Sequence, residues 1–235
     1  MVYKTLIPNI ITIGNMVCGL AAIAFGVSGG ALLGAYLIFL GMILDFFDGK
    51  VARLTNTVSP FGAYLDSVTD IITFGIAPVV LVFMITPLKY RFVISSFLLI
   101  YAVCGAFRLI RFTRDVHAKK GEMFTGMPIP AAAGVLMSSL VLYQHSHLSY
   151  SYVWMSVFLL GNSALMISRL PYFHFAKLMD RVPFGSKVGA GIGMALFIGF
   201  GYYYAIFFLL FSLYAVFGIQ WPVRQFFFGK LLPNR

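Results

Sequence analysis

The sequence predicts an all-α, polytopic integral membrane protein: a helical bundle of about eight transmembrane helices, forming one membrane domain over residues 1–235. Three observations carry this. Of 235 residues, 60% are hydrophobic and only 10% charged, a balance that belongs to polytopic membrane chains and excludes an ordinary soluble domain. Apolar runs close to the roughly 20 residues needed to cross a hydrocarbon core recur along the whole chain. The basic residues gather in alternate connections, as cytoplasmic loops do.

Taken in order, the first run, 6–27, follows a single Lys4, carries Asn9 and Asn15 and lacks a small-residue cleavage signal, so it reads as a permanent helix. Runs at 31–54, 61–85, 91–111, 128–147 and 150–168 supply further spans. The tail from 188 to 220 fits one long tilted helix or two short ones hinged near Tyr202, Tyr203 and Tyr204. Charge chooses between them. With a cytoplasmic amino terminus and eight spans, 15 of the 17 basic residues fall inside and only Lys89 and Arg91 outside; a single tail span would move Arg224, Lys230 and Arg235 across, leaving 12 against 5. Two additional C-terminal helices are therefore expected within 188–220. The formal charge of +10 then faces anionic headgroups of the cytoplasmic leaflet, and nucleic acid is not an expected partner. Cys18 and Cys104 fall in apolar spans without metal or disulfide spacing and read as free buried thiols. His117, His145, His147 and His174 are scattered in loops and at helix ends and read as solvated surface residues.

The acidic residues are distributed otherwise. The chain has seven, and four of them, Asp45, Asp48, Asp66 and Asp70, lie in one short stretch. Asp45 and Asp48 are i and i+3, and Asp66 and Asp70 are i and i+4, so each pair shares a helix face. Between them "TNTVSP" supplies a turn that makes the second and third helices antiparallel neighbours. Four carboxylates converging in a low-dielectric site would repel and lose hydration. A divalent cation removes that conflict, and an all-carboxylate set selects hard ions: magnesium or manganese, with calcium as a third fit. Four aspartates suffice for two ions per site, the arrangement that serves phosphoryl chemistry. Two other readings stay open on these residues alone: surface acids paired with Lys50 and Arg53, and a cation or proton pathway in a transporter. Gly49, Ala52 and Gly62 beside the acids can open a slot for a flat base and its phosphates, or can serve close helix packing. Thr12 and Asn15, i and i+3 on the first span, share a face that can meet the same ligand.

Asp48, Gly49, two residues, Ala52, Arg53, eight residues, Gly62, three residues, Asp66, three residues and Asp70, with Asp45 upstream, resemble without a gap the signature of the CDP-alcohol phosphotransferase family. Further stretches resemble its phosphatidylserine synthase branch: "IPNIITIGNMVCGLAAI" (7–23), "FGAYLDSVTDIITFGIAP" (61–78), "FRLIRF" (107–112), "FTGMPIPAAAG" (124–134) and "SRLPYFHFAK" (168–177). Thr73, Ile110 and Met127 depart modestly from that branch's usual residues.

The resemblance implies a catalytic core over about 5–180, with the motif at 45–70 and the active site between helices 2 and 3 on the cytoplasmic side. It implies an enzyme that transfers the phosphatidyl group of CDP-diacylglycerol to L-serine with release of CMP, dependent on divalent metal. Glycerol 3-phosphate or inositol phosphate is the alternative acceptor, and a cation transporter the reading from another class. Asp45, Asp48 and Asp66 would be metal ligands, and Asp70 the catalytic base, also touching metal. Gly49, Ala52, Arg53, Gly62, Ser67, Thr12 and Asn15 would meet the CDP-lipid. Arg108 and Arg111, one helical turn apart, would take the serine carboxylate or a phosphate together with Thr125 and Gly126; ordinary positive-inside charge for the arginines and a helix-entry turn at 125–130 are the alternatives. The partners so implied are CDP-diacylglycerol, L-serine and membrane lipid, with a homodimer suggested by relatives. The implied location is the inner (cell) membrane of a prokaryote, with the site facing the cytoplasm.

Overall fold

The computed structural model of the chain describes residues 2–55, 57, 59–118, 123–145, 152–173 and 203–228. Nearly all of them are helical: α1 (Val2–Val27), α2 (Ala31–Leu54), α3 (Pro60–Asp70), α4 (Ala77–Ile85), α5 (Leu88–Ala118), α6 (Ile129–His145), α7 (Tyr152–Ile167) and α8 (Tyr203–Phe228). Among the described residues four helical stretches are long and apolar enough to cross a membrane: Ile7–Val27, Ala31–Ala52, Pro60–Ile85 and Leu88–Arg111. They fall on the first four expected spans. Helices α6 and α7 stand where the next two were expected but are shorter, at 17 and 16 residues. Of the tail, residues 188–202 lie outside the described residues, and α8 begins at Tyr203.

Helices α1 and α2 form an antiparallel pair because the chain reverses within three residues. Gly29 takes a φ of +91°, which an L side chain rarely adopts, and the Gly30 amide donates to the Phe25 carbonyl at 2.7 Å. This is the glycine termination that satisfies orphan carbonyls at a helix end. The turn between α2 and α3 ends at Ser59, whose hydroxyl accepts from the Gly62 amide at 3.0 Å, with Pro60 in the first helical turn. Serine before a proline at the first helical position is a strong start signal, so α3 begins one residue earlier than expected.

The third span is not a uniform α-helix. Over Ile71–Ile76 it widens into a π turn before continuing as α4. The Tyr101 hydroxyl of α5 donates to the Phe74 carbonyl inside this turn at 3.2 Å, and the Thr73 hydroxyl donates to the Asn15 carbonyl of α1 at 3.2 Å. Gly19 of α1 and Gly41 of α2 admit Thr73 this closely; a Cβ at Gly41 would stand 2.8 Å from its methyl group.

Helix α6 runs through the centre. Ala131, Ala132, Ala133, Gly134, Val135, Leu136 and Met137 are all buried, and their small size lets neighbours approach, as helix packing in lipid requires. On α5 the buried Ile94, Leu98, Tyr101, Cys104 and Arg108 recur at helical spacing, while Phe92, Leu99, Val103, Phe107 and Ile110 are exposed and face the surroundings of a membrane bundle. Both cysteines are free and buried, as expected.

Two features depart from the sequence reading. A short antiparallel pair, β1 (Met123–Thr125) with β2 (Pro171–Phe173), in register Met123↔Phe173, Phe124↔Tyr172 and Thr125↔Pro171, interrupts the all-helical pattern. Its runs of three residues are too short for alternation to show. His145 is not a solvated surface residue: it is half-buried and its ring stacks on Tyr204 of α8 at 5.3 Å. His147 and His174 lie outside the described residues, as does the side chain of His117.

Candidate functional site

Helical spacing does bring the aspartates together. Asp45, Asp48 and Asp66 each offer a carboxylate oxygen, and these atoms lie within 4.8 Å of one another. Asp70, one turn after Asp66 on α3, lies within side-chain hydrogen-bonding reach of Asp45 and near enough to Asp66 for their charges to repel. Asp48 and Asp70 are buried, at 4% and 9% exposure, so water cannot screen the cluster from these sides. One oxygen of Asp70, Oδ1, is buried without a hydrogen-bond partner, and a buried carboxylate oxygen left so is costly unless a further group meets it. Converging hard oxygens with an orphaned acceptor fit a divalent cation in charge and ligand chemistry. Lys50 does not pair with the acids; its ammonium lies over the Phe46 ring, 5.9 Å from the centroid. The side chain of Arg53 lies outside the described ones.

A cleft opens beside the carboxylates, between the ends of α1, α2 and α3. Its walls include Thr12, Asp48, Gly49, Ala52, Gly62 and Asp66, so the small residues singled out in the motif do face one space. Their roles differ. A Cβ on Gly49 would meet no atom within 4 Å and would project into open space, whereas one on Gly62 would stand 3.1 Å from the Ser59 hydroxyl and 3.2 Å from Asn9. The Thr12 hydroxyl lies 2.8 Å from an Asp48 carboxylate oxygen and 3.0 Å from the Pro8 carbonyl, with one proton to serve both.

Asn15 and Ser67, expected at the same ligand, are placed elsewhere. Asn15 is fully buried one turn deeper, against Gly41 and Thr73, and neither polar atom of its amide has a partner. Ser67 turns back on its own helix and donates to the Ala63 carbonyl at 2.9 Å. The sequence reading missed Pro8, Asn9, Thr57 and Ser59, which also line the cleft. Asn9 was legible, standing one turn before Thr12 on the same face; Thr57 and Ser59 sit in the interhelical turn, where no periodicity marks a direction.

The two arginines expected in an acceptor pocket also separate. Arg108 is 5% exposed and interacts electrostatically with Asp70, Arg111, Tyr214 and Asp45. Arg111 lies at the end of α7, where its guanidinium donates to the carbonyls of Ile167 at 2.9 Å, Met166 at 3.2 Å and Ser168 at 3.2 Å. A helix C-terminus leaves such carbonyls unpaired, and a guanidinium fork there satisfies them. Gly126 packs against this clamp with a φ of +81°, its amide donating to Leu170 at 2.8 Å; a Cβ on it would stand 2.5 Å from both Arg111 Nη2 and the Met166 carbonyl. The side chain of Thr125 lies outside the described ones.

Comparison with known proteins agrees with this arrangement. Residues 5–167 match the family described as CDP-alcohol phosphatidyltransferase. A Bacillus subtilis protein named CDP-diacylglycerol--serine O-phosphatidyltransferase is 38% identical over 173 residues, covering 73% of this chain and 92% of its own. A Methanocaldococcus jannaschii protein of the same name is 38% identical over 167 residues, 71% of this chain and 73% of its own. A Methanothermobacter thermautotrophicus protein named archaetidylserine synthase is 32% identical over 168 residues, 71% of this chain and 69% of its own. With its acidic signature intact and most of its length matched, the chain belongs to the CDP-alcohol phosphatidyltransferase family.

Proposed function

We propose that the chain is a phosphatidylserine synthase, transferring the phosphatidyl group of CDP-diacylglycerol to L-serine and releasing CMP. The observation that carries this is the meeting of the signature aspartates, from α2 and α3, at the rim of a cleft walled by the motif's small residues. The relatives' names supply the acceptor.

Asp45, Asp48 and Asp66 would hold a divalent cation, magnesium or manganese, with Asp70 completing a set suited to two ions. When bound, such ions offset charge on diphosphate oxygens. The cleft beside Gly49 takes the flat base and sugar of the CDP moiety, since no Cβ fills it. Serine's hydroxyl oxygen forms a bond to the phosphorus bearing diacylglycerol. The bond from that phosphorus to the bridging oxygen breaks, and its electron pair leaves with CMP. Asp70 takes the hydroxyl proton on a carboxylate oxygen as attack proceeds. Holding acceptor and phosphorus in line supplies most of the acceleration such transfers need.

Arg108, buried beside Asp70, takes the serine carboxylate in this reading. Arg111, turned to backbone carbonyls, supports rather than lines the pocket. Among the described side chains one arginine, Arg108, is directed at the cluster, which suits a single carboxylate better than the phosphate of glycerol 3-phosphate or inositol phosphate, a group that calls for denser positive charge. The eight-span arrangement, with the site on the cytoplasmic side of a prokaryotic inner membrane, keeps Lys50 and Arg53, which flank the site, on the positive side. The catalytic core then spans about 5–180 of a single membrane domain. The test is incorporation of radiolabelled L-serine into extractable lipid by purified protein. Label should enter lipid only when CDP-diacylglycerol is supplied; label that stays in water while another alcohol enters lipid would reassign the acceptor.

A further inference from the structure

The third span has two halves with different tasks. On α3, Asp66 meets Asp45 and Asp48 of α2, and Asp70 follows one turn later on the same face. On α4, Leu81 is fully buried and seated against two glycines: a Cβ would stand 3.0 Å from its side chain at Gly26 of α1 and 2.8 Å at Gly34 of α2. The π turn at Ile71–Ile76 lies between the halves and sets their relative rotation. Such a turn holds about one residue more than an α turn, so the two faces are displaced by about 100° from where a continuous α-helix would put them.

Proline has no amide hydrogen, and its ring crowds the carbonyl four residues back. For Pro78 that carbonyl belongs to Phe74. Next to it the Ala77 amide donates five residues back, to Ile72. The Phe74 carbonyl thus lacks the donor an α-helix would give it, and the Tyr101 hydroxyl of α5, itself fully buried, donates to it at 3.2 Å. A second tether holds the other side, where the Thr73 hydroxyl donates to the Asn15 carbonyl of α1 at 3.2 Å. The approach there is so close that a Cβ on Gly19 would stand 2.8 Å from Thr73 Cα. A proline alone does not choose between a kink and a widened turn; the two tethers do.

We infer that Tyr101 is a positioning residue for Asp66 and Asp70: by holding the Phe74 carbonyl it keeps the π turn open and fixes the rotation at which α3 presents its acids while α4 stays packed. This rests on the reading of Asp66 as a metal ligand. Without the hydroxyl the turn tightens towards α geometry. With Leu81 held between Gly26 and Gly34, the rotation falls on α3 and carries its acids away from Asp45 and Asp48.

The test is isothermal titration with magnesium or manganese, together with the thermal midpoint, on the full-length protein: wild type, Tyr101→Phe, Tyr101→Phe combined with Pro78→Ala, and Asp66→Asn. Tyr101→Phe keeps the ring and removes one donor, so the midpoint should fall. The metal dissociation constant should rise about tenfold, as when a ligating carboxylate loses the group that orients it. Adding Pro78→Ala restores a backbone donor to the Phe74 carbonyl and removes the crowding ring, so the midpoint should recover while metal binding stays weakened. Wild-type metal affinity in Tyr101→Phe, or affinity that returns with the midpoint in the double variant, would overturn the role of Tyr101 and leave the metal site standing. If Tyr101→Phe does not fold, Thr73→Val and Thr73→Ser make the comparison at the second tether: the first should weaken metal binding and the second should not, and equal affinities would overturn the role of the turn. Unchanged metal affinity in Asp66→Asn would remove the ligand reading and this inference with it.

Discussion

Thr12 on α1 donates a hydrogen bond to Asp48 on α2 across 2.8 Å, which ties the cleft wall to one of the three converging carboxylates. A group behind a ligating carboxylate fixes its orientation, and its loss costs about 10- to 100-fold in metal affinity. Thr12→Val keeps the shape and removes the bond. The metal concentration for half-maximal activity should rise by that factor; an unchanged metal titration would show that the bond does not orient Asp48.

The acids divide by position. Asp70→Asn should abolish turnover yet retain CDP-lipid, since the amide cannot accept the hydroxyl proton but keeps the side chain's volume. Asp66→Asn should instead weaken metal binding, because it removes one of the three converging carboxylates. Isothermal titration of each variant with metal and with a CDP-lipid separates the two. Wild-type turnover in the first variant, or wild-type metal affinity in the second, would contradict these assignments.

The glycines should separate stability from binding. Alanine at Gly41 would press its Cβ within 2.7 Å of Asn15 Oδ1 and should destabilise the protein by about 1–3 kcal/mol. Alanine at Gly49 meets nothing in the protein, so the thermal midpoint should hold while the KM for CDP-diacylglycerol rises. Equal melting of the two variants, with equal substrate affinity, would count against a ligand slot at Gly49.

Arg111→Ala should act on stability rather than on serine. It releases the carbonyls of Met166, Ile167 and Ser168, of which those of Met166 and Ser168 are part-buried, and a stranded acceptor that is only part-buried costs at most about 1–3 kcal/mol. The melting temperature should fall, with the serine KM of the surviving enzyme unchanged. A selective rise in serine KM at an unaltered melting temperature would return Arg111 to the acceptor pocket.

What the sequence disclosed follows physical range. The aspartate pairs were legible because i, i+3 and i, i+4 spacing puts side chains on one face whatever the surroundings. Thr12 was legible for the same reason, but its helical partner Asn15 was not, since periodicity gives a face and not a depth. The π turn at Ile71–Ile76 was hidden because it arises where Thr73 and Tyr101 meet backbone carbonyls from other helices. Arg111 depends on contacts 55 to 57 residues away, of which local sequence carries no trace.

The measurement that tests the central claim most directly is CMP release from CDP-diacylglycerol by purified protein, with and without L-serine, in magnesium, manganese, calcium or a chelator. Serine-dependent release that requires a divalent cation and stops with the chelator is the predicted result. Absence of release with serine or any other alcohol, from folded protein supplied with metal, would contradict the account and leave the four aspartates to a cation pathway.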